Sequence, residues 1–271
     1  MHTKTPAHYE LEPRAALESH PQFASTLSHG LDVLRCFSPA QPLWGNKELA
    51  EALGLTRPTV SRLTFTLVGL GYLRRDARTG KYSLGPAVLS LGYPLLVNLT
   101  LRQLAAHDMV ELARYARGPV SLAIRDRLQA VYVETVQDGH SNRTRPDIGS
   151  DRPLLRTAIG RSLLYAQTPE ERRLICGRLA QEYPEDWERF SPSLAVAFEQ
   201  IDQRGFCVVA RDWQPDLCGI ACPMRYRSND LPLAFNVTIA AHDMDDKHIQ
   251  ESLGPRLHTL VKNLEYRLGI M

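Results

Sequence analysis

The chain has 271 residues, with 32 basic and 30 acidic side chains, a formal net charge of +2 and 44% hydrophobic residues. This near-neutral balance excludes histone-like and membrane-surface proteins, which carry their charge over the whole molecule. The length is more than one small module needs and fits two domains, with apolar residues enough for ordinary cores.

Residues 1–22 are polar, contain Pro and His, and lack the apolar core of a signal peptide, so they are expected to form a flexible tail. Residues 25–37 form an amphipathic helix with Leu27, Leu31, Val33, Leu34 and Phe37 as core candidates. Two short helical patterns follow, separated by the turn Gly54-Leu55-Thr56. The first starts at Asn46, read as an N-cap, buries Leu49, Ala50 and Leu53, and ends at Gly54, which reaches positive φ without steric cost. The second has Thr56 as N-cap and Pro58 in its first turn, with Val60, Leu63, Leu67 and Leu70 at core spacing.

The other face of that second helix carries Arg57, Thr59, Ser61, Arg62, Thr64 and Thr66. Short polar groups with two arginines suit a DNA groove, since they reach base edges and phosphates without filling the space. Residues 72–84 then read as a β-wing, with Tyr72, Leu73, Tyr82 and Leu84 in strands and Arg78-Thr79-Gly80 at the turn. The candidate DNA contacts are therefore Arg57, Pro58, Thr59, Ser61, Arg62 and Thr64 on the helix, Arg74, Arg75, Arg78 and Lys81 on the wing, and Asn46 beside them. Residues 46–85 hold seven basic and three acidic side chains, a net of +4 that exceeds the charge of the whole chain. Such charge positions a protein on phosphates and makes binding depend on salt.

Residues 87–97 form an unusually apolar helix with Val88, Leu89, Leu91, Leu95 and Leu96, and Pro86 suits its first turn. Its expected partner is its own twin in a dimer, which would match a palindromic operator. No stretch here, Tyr93 to Val97 included, is long enough to span a bilayer, so no membrane partner is expected and a cytoplasmic protein is.

The second half mixes helices and strands. A helix over 101–116 has Leu101, Leu104, Ala105, Met109 and Leu112 in register. Strands at 120–124 and 130–136 are joined around Asp126-Arg127, and a polar loop covers 137–152. A turn enters a helix at residues 157–164, and Thr168-Pro169-Glu170-Glu171 opens another with N-cap, N1 proline and N3 glutamate. A helix at 194–204 closes at Gly205, strands cover 206–209, 219–226 and 233–240, and a helical pattern over 245–268 is interrupted at Gly254-Pro255. Without regular βαβ alternation the fold class is mixed α/β of the α+β kind, on an antiparallel sheet. The domain boundaries expected are 1–22 tail, 23–85 winged helix-turn-helix, 86–98 linker and dimerisation helix, and 99–271 for the second domain, whose role the resemblance below supplies.

Five cysteines, Cys36, Cys176, Cys207, Cys218 and Cys222, leave one unpaired in any disulfide scheme and are expected as free thiols. The sequence Cys-Gly-Ile-Ala-Cys at 218–222, near Cys207, raises a redox or metal sensor as the rival function, but it lacks zinc-ligand spacing, and packing or pocket lining is the expected role. A thiol enzyme using Cys222 has no activating signature in the sequence. Arg125, Arg143 and Arg145 are read as solvated loop residues rather than ligand contacts.

Three segments in one order carry a resemblance: LAEALGLTRPTVSRLTFTLVGLGYLRRD running into GKYSLGPAVLSLG, RTAIGRSLLYA at 156–166, and RGFCVVARDWQPDLCGIACPM at 204–224 before PLAFNVTIAA. Over residues 23–269 the chain resembles the IclR family of bacterial transcriptional regulators. The resemblance implies a winged helix, a linker helix and a GAF-like effector-binding domain, assembled as a homodimer or homotetramer, with small organic or aromatic acids as effectors. It implies that Thr157, Ala158, Ile159 and Gly160 line the effector pocket, with Asp212, Trp213, Cys222 and Met224 near it. A helix N-terminus at 157–160 is in any case a ready anion site. The chain departs from many members at Val209-Ala210, where they carry an acidic doublet, and at Cys222, where they carry a small residue. The expectation is a ligand-responsive, double-stranded-DNA-binding regulator of a catabolic or metabolic operon, with no cofactor, no metal and no catalytic residue.

Overall fold

The computed structural model describes residues 12–137 and 147–270. They divide into two compact units, up to Asn98 and from Leu99 onward. Arg143 and Arg145 lie outside the described residues.

In the first unit, helices α1 (Ser25–Arg35), α2 (Asn46–Leu53) and α3 (Arg57–Gly69) precede the hairpin β1 (Leu73–Arg75) and β2 (Tyr82–Leu84) and helix α4 (Ala87–Asn98). Val33, Leu49, Val60, Leu63, Leu67, Leu73 and Tyr82 form its core. Trp44 pairs with Tyr82 as a third, one-residue strand, N–O distances 3.1 and 2.7 Å. Three sequence expectations change here. Leu27 is 64% exposed and Leu31 is exposed too, because α1 turns Gly30 and Val33 inward and Gly30 meets Leu63. Leu70 is also exposed, lying just beyond the end of α3 at Gly69. The boundary expected at residue 22 moves, for Arg14–Glu18 is a turn of helix whose Arg14 donates to Asp32 (2.8 Å) and Ser28 (3.1 Å) on α1.

The second unit runs α5 (Leu101–Ala116), β3 (Val120–Asp126), β4 (Gln129–Val136), β5 (Asp151–Pro153), α6 (Ala158–Tyr165), α7 (Pro169–Glu182), α8 (Pro184–Phe190), α9 (Pro192–Arg204), β6 (Cys207–Ala210), β7 (Leu217–Ser228), β8 (Leu231–Ala240) and α10 (Gly254–Arg267). Its strands form one antiparallel sheet in the order β5-β4-β3-β8-β7-β6, the α+β arrangement expected. The loop expected at 137–152 is shorter, since Asp151 and Arg152 pair with Val131 and Ala130 at the sheet edge. Leu104 lies on the outer side of α5 and is exposed, while Leu101, Ala105, Met109 and Leu112 are buried. Arg125 is not a solvated loop residue but is buried near the end of β3, donating to the Arg127 carbonyl at 2.9 Å. Thr168 and Glu171 close a reciprocal capping box (3.0 and 3.2 Å), and Glu171 also receives Arg227 from the end of β7 (3.2 Å). The interruption before Pro255 is a π-helical turn, Ile249–Leu253, which fits a proline that cannot donate into the preceding turn.

Candidate DNA interface and ligand cavity

Thr56 caps α3 by accepting from the Thr59 N–H (3.3 Å), and Pro58 sits in the first turn, so the start of α3 is built as the sequence expects. Arg57, Pro58, Ser61, Arg62 and Thr66 are exposed on one side, with Thr59 half-buried against the Thr56 hydroxyl at 2.8 Å. Thr64 is corrected. It is fully buried, and its hydroxyl lies 2.9 Å from the Val60 carbonyl and 3.2 Å from Asn46 Oδ1. At 100° per residue it lies 40° beyond Val60, at the edge of the core stripe, and its buried hydroxyl ties α3 to α2 and is not presented to DNA. Asn46 is likewise not the N-cap of α2. Gly45 holds that place, and Glu48 accepts from its N–H at 2.8 Å.

The wing turn is organised by Asp76, which accepts from the backbone N–H groups of Arg78 (2.7 Å) and Thr79 (3.4 Å). Those bonds, the Arg78 one foremost, hold its carboxyl below the usual range. Gly80 completes the turn at φ 70°. Lys81 pairs with Glu48 (2.9 Å) and Lys47 with Glu51 (3.8 Å). The charge left without an acidic partner among the described residues is therefore arginine: Arg57 and Arg62 on α3, Arg74, Arg75 and Arg78 on the wing. Phe65 was missed by the sequence reading. It is 81% exposed, one turn from Arg62 on the face opposite the α3 core. The unbroken exposure of positions 58, 61, 62 and 65 is the signal that marks it.

The second unit contains a cavity of about 350 Å³. The start of α6 forms one wall, with Thr157, Ala158 and Ile159. Tyr132 of β4, Gly219 of β7, and Asn236 and Thr238 of β8 form the floor, and Arg152, Arg156, Arg211 and Trp213 stand around it. Thr157 caps α6 by accepting from the Gly160 N–H (3.1 Å) while donating to the Pro153 carbonyl (2.7 Å). The Ala158 and Ile159 N–H groups have no hydrogen-bond partner among the described residues, which leaves the positive end of the helix open to the cavity. Arg156 is matched by Asp186 (2.7 Å), but Arg152 and Arg211 have no carboxylate partner among the described residues. The cavity is electropositive.

Four of the eight expected effector contacts do not line it. Gly160 packs against Leu154, where an added Cβ would lie 2.4 Å from the Leu154 Cα. Asp212 turns away to Arg161, 2.6 Å distant, and holds the loop that brings Arg211 and Trp213 to the cavity. Cys222 stands opposite Phe235, on the sheet face covered by α10, and Met224 is buried in the irregular stretch of β7 between Pro223 and Arg227, outside the cavity lining. Tyr132, Arg152, Arg156, Arg211, Asn236 and Thr238 were missed. The i, i+2 pair Asn236 and Thr238 in an otherwise apolar strand is the one sequence signal that could have found the floor.

Cys207, Cys218 and Cys222 are buried, and desolvation pushes the first two thiols to about 11 and the third further up. No group of three or more metal-ligating side chains occurs among the described residues. A thiol reagent at pH 8 should label Cys36 and Cys176 in the native protein and the other three only after unfolding. Fast native labelling of all five would restore the thiol sensor. A raised thiol pKa stabilises the fold below the unfolded value of about 8.5 and loses that contribution as pH climbs towards 11, so the cost falls at alkaline pH.

A winged helix-turn-helix unit and an α+β unit with a partly open cavity define the class of two-domain DNA-binding transcriptional regulators. Residues 26–77 match the IclR helix-turn-helix domain, and residues 94–265 match the C-terminal domain of the bacterial transcriptional regulator IclR. The chain belongs to the IclR family. It is 30% identical to the HTH-type transcriptional regulator TsaQ1/TsaQ2 of Comamonas testosteroni, over 97% of this chain and 93% of the relative. It is 25% identical to KdgR, an HTH-type transcriptional regulator of Escherichia coli, over 94% and 97% of the two chains. Among solved structures, an IclR family transcriptional regulator from Brucella abortus is 37% identical with a TM-score of 0.84, covering 98% of this chain and 99% of that one.

Proposed function

We propose that this regulator binds a palindromic operator through α3 and the wing, and that a small organic or aromatic acid in the cavity of the second unit controls that binding without any catalysis. The observation that carries the reading is the placement of unpaired cationic groups: five arginines on α3 and the wing of one unit, two arginines and two free N–H groups around the cavity of the other. The effector acts by binding two states of the protein with different affinity. The boundaries that go with this reading are 23–85 for DNA binding, 86–98 for the connecting helix and 99–271 for effector binding.

The reading includes a homodimer or homotetramer, supported by α4, none of whose residues is buried within the chain and whose Leu89 is 80% exposed. An apolar helix of this kind is a surface for a second copy. The proposed site of action is the cytoplasm, where operator DNA lies. No described helix is long and apolar enough to cross a membrane.

The test is a salt titration of DNA binding. Arg62→Ala should weaken binding and reduce the slope of log K against log salt by about 0.9, the loss of one phosphate contact. An unchanged affinity and slope would mean that α3 does not face the DNA.

A further inference from the structure

Phe65 is an aromatic ring that the core of its own unit does not use. It is 81% exposed, more than any other large apolar side chain among the described residues. At about 100° per residue it lies about 140° round from Val60, between Ser61 and Arg62 and nearly in line with Pro58. The core stripe of Val60, Leu63 and Leu67 faces the other way.

A single exposed apolar side chain is commonplace. What sets Phe65 apart is its company. No acidic residue occurs on α3 from Arg57 to Gly69, and Arg57 and Arg62 have no acidic partner among the described residues. A second copy presenting the same face would bring arginine against arginine, so the charge around the ring selects an anionic partner rather than its own twin. The major groove of DNA is such a partner, and it holds one apolar landmark, the 5-methyl group of thymine. A phenyl ring has no hydrogen-bonding group to offer a base edge. Set against the amino groups and ring nitrogens of the other bases, it would strip their water and return no bond. Set against a thymine methyl, it buries apolar surface on both sides. The ring lies three residues beyond Arg62, about 4.5 Å along the helix axis, a little over one base-pair step of about 3.4 Å.

Resting on the reading that α3 enters the operator's major groove, we infer that Phe65 reads a thymine in each half-site through its 5-methyl group, about one base pair from the point where Arg62 meets the DNA. The arginines hold any duplex, and Phe65 adds selectivity at a position that no hydrogen bond reads.

Site selection from a random double-stranded DNA library, with the full chain and with Phe65→Ala, tests this. The parent should enrich sites with thymine at one position in each half, and in Phe65→Ala that preference should disappear while the rest of the site stays. Replacing this thymine by deoxyuridine removes only the methyl group. The parent should then bind roughly fourfold more weakly per half-site, the worth of one buried methyl, and Phe65→Ala should lose less than about twofold. The deoxyuridine comparison on the parent needs no variant, so it stands even if the alanine variant does not fold. A parent that binds duplex without enriching thymine or that tolerates deoxyuridine, or a Phe65→Ala that keeps the thymine preference or weakens every duplex alike, would overturn the thymine inference alone. A parent that binds no duplex, or that Arg62→Ala equals in affinity and salt slope, would overturn the placement of α3 on DNA, and this inference with it.

Discussion

Gly160→Ala should lower the melting temperature of the second unit by roughly 6–12 °C, the equivalent of about 3 kcal/mol in a domain of this size. Its Cβ would sit 2.4 Å from the Leu154 Cα and 2.5 Å from the Leu154 carbonyl oxygen, distances that real Cβ atoms do not reach. Nothing nearby can give. Leu154 and Leu155 are buried, as are the α6 residues from Ala158 to Leu164, and Thr157 ties the helix start back to the Pro153 carbonyl at 2.7 Å. A charged side chain here would break the helix packing before it could compete with a ligand, so Gly160→Asp is no probe of anion binding. Thermal denaturation checks the alanine variant, and a loss below 2 °C would show that α6 can move away from Leu154.

Asp212→Asn is expected to cost about 2–4 kcal/mol and to weaken effector binding as well. Arg161 is 4% exposed, donates to the Leu155 carbonyl at 2.8 Å and has Asp212 as its charged partner at 2.6 Å. Removing one member of a buried pair leaves a charge with neither water nor counter-ion, and the 30% exposure of the Asp212 side chain places the cost at the lower end of the usual range. The loop around Asp212 carries Arg211, Trp213 and Gln214 to the cavity, so freeing it also disorders a wall of the site. Urea denaturation should further show that Arg161→Met with Asp212→Leu is less destabilised than Asp212→Asn alone, since the double variant leaves no orphan charge. A single variant within 0.5 kcal/mol of the parent would mean that water already reaches Arg161.

The sequence made the helix-turn-helix legible because its signals are local. Gly54 at φ 64°, the Thr56 cap and the Val60, Leu63, Leu67 stripe each depend on neighbours a few positions away. Thr64 defeated that logic, because a threonine on the edge of the polar face was drawn inward by a partner 18 residues earlier, Asn46. The cavity was legible only at Thr157, Ala158, Ile159 and Trp213. Its floor is assembled from strands far apart in sequence, and which face of β7 or β8 looks into it depends on pairing that no short window contains. Cys222 was placed by proximity along the chain to a cavity that lies on the other side of its own strand.

The pairing of β3 with β8 has a consequence for how the chain is made. Val120 meets Val237 at the centre of the sheet, so no sheet of native order exists until the strand ending at Ala240 has left the ribosome. The core of the first unit, from Val33 to Tyr82, is drawn from the first third of the chain alone. At about 5–20 residues per second it is free to fold roughly ten to thirty seconds ahead of the completed chain. A chain interrupted between the two events would own a DNA-binding surface and no cavity, an output stage without its input.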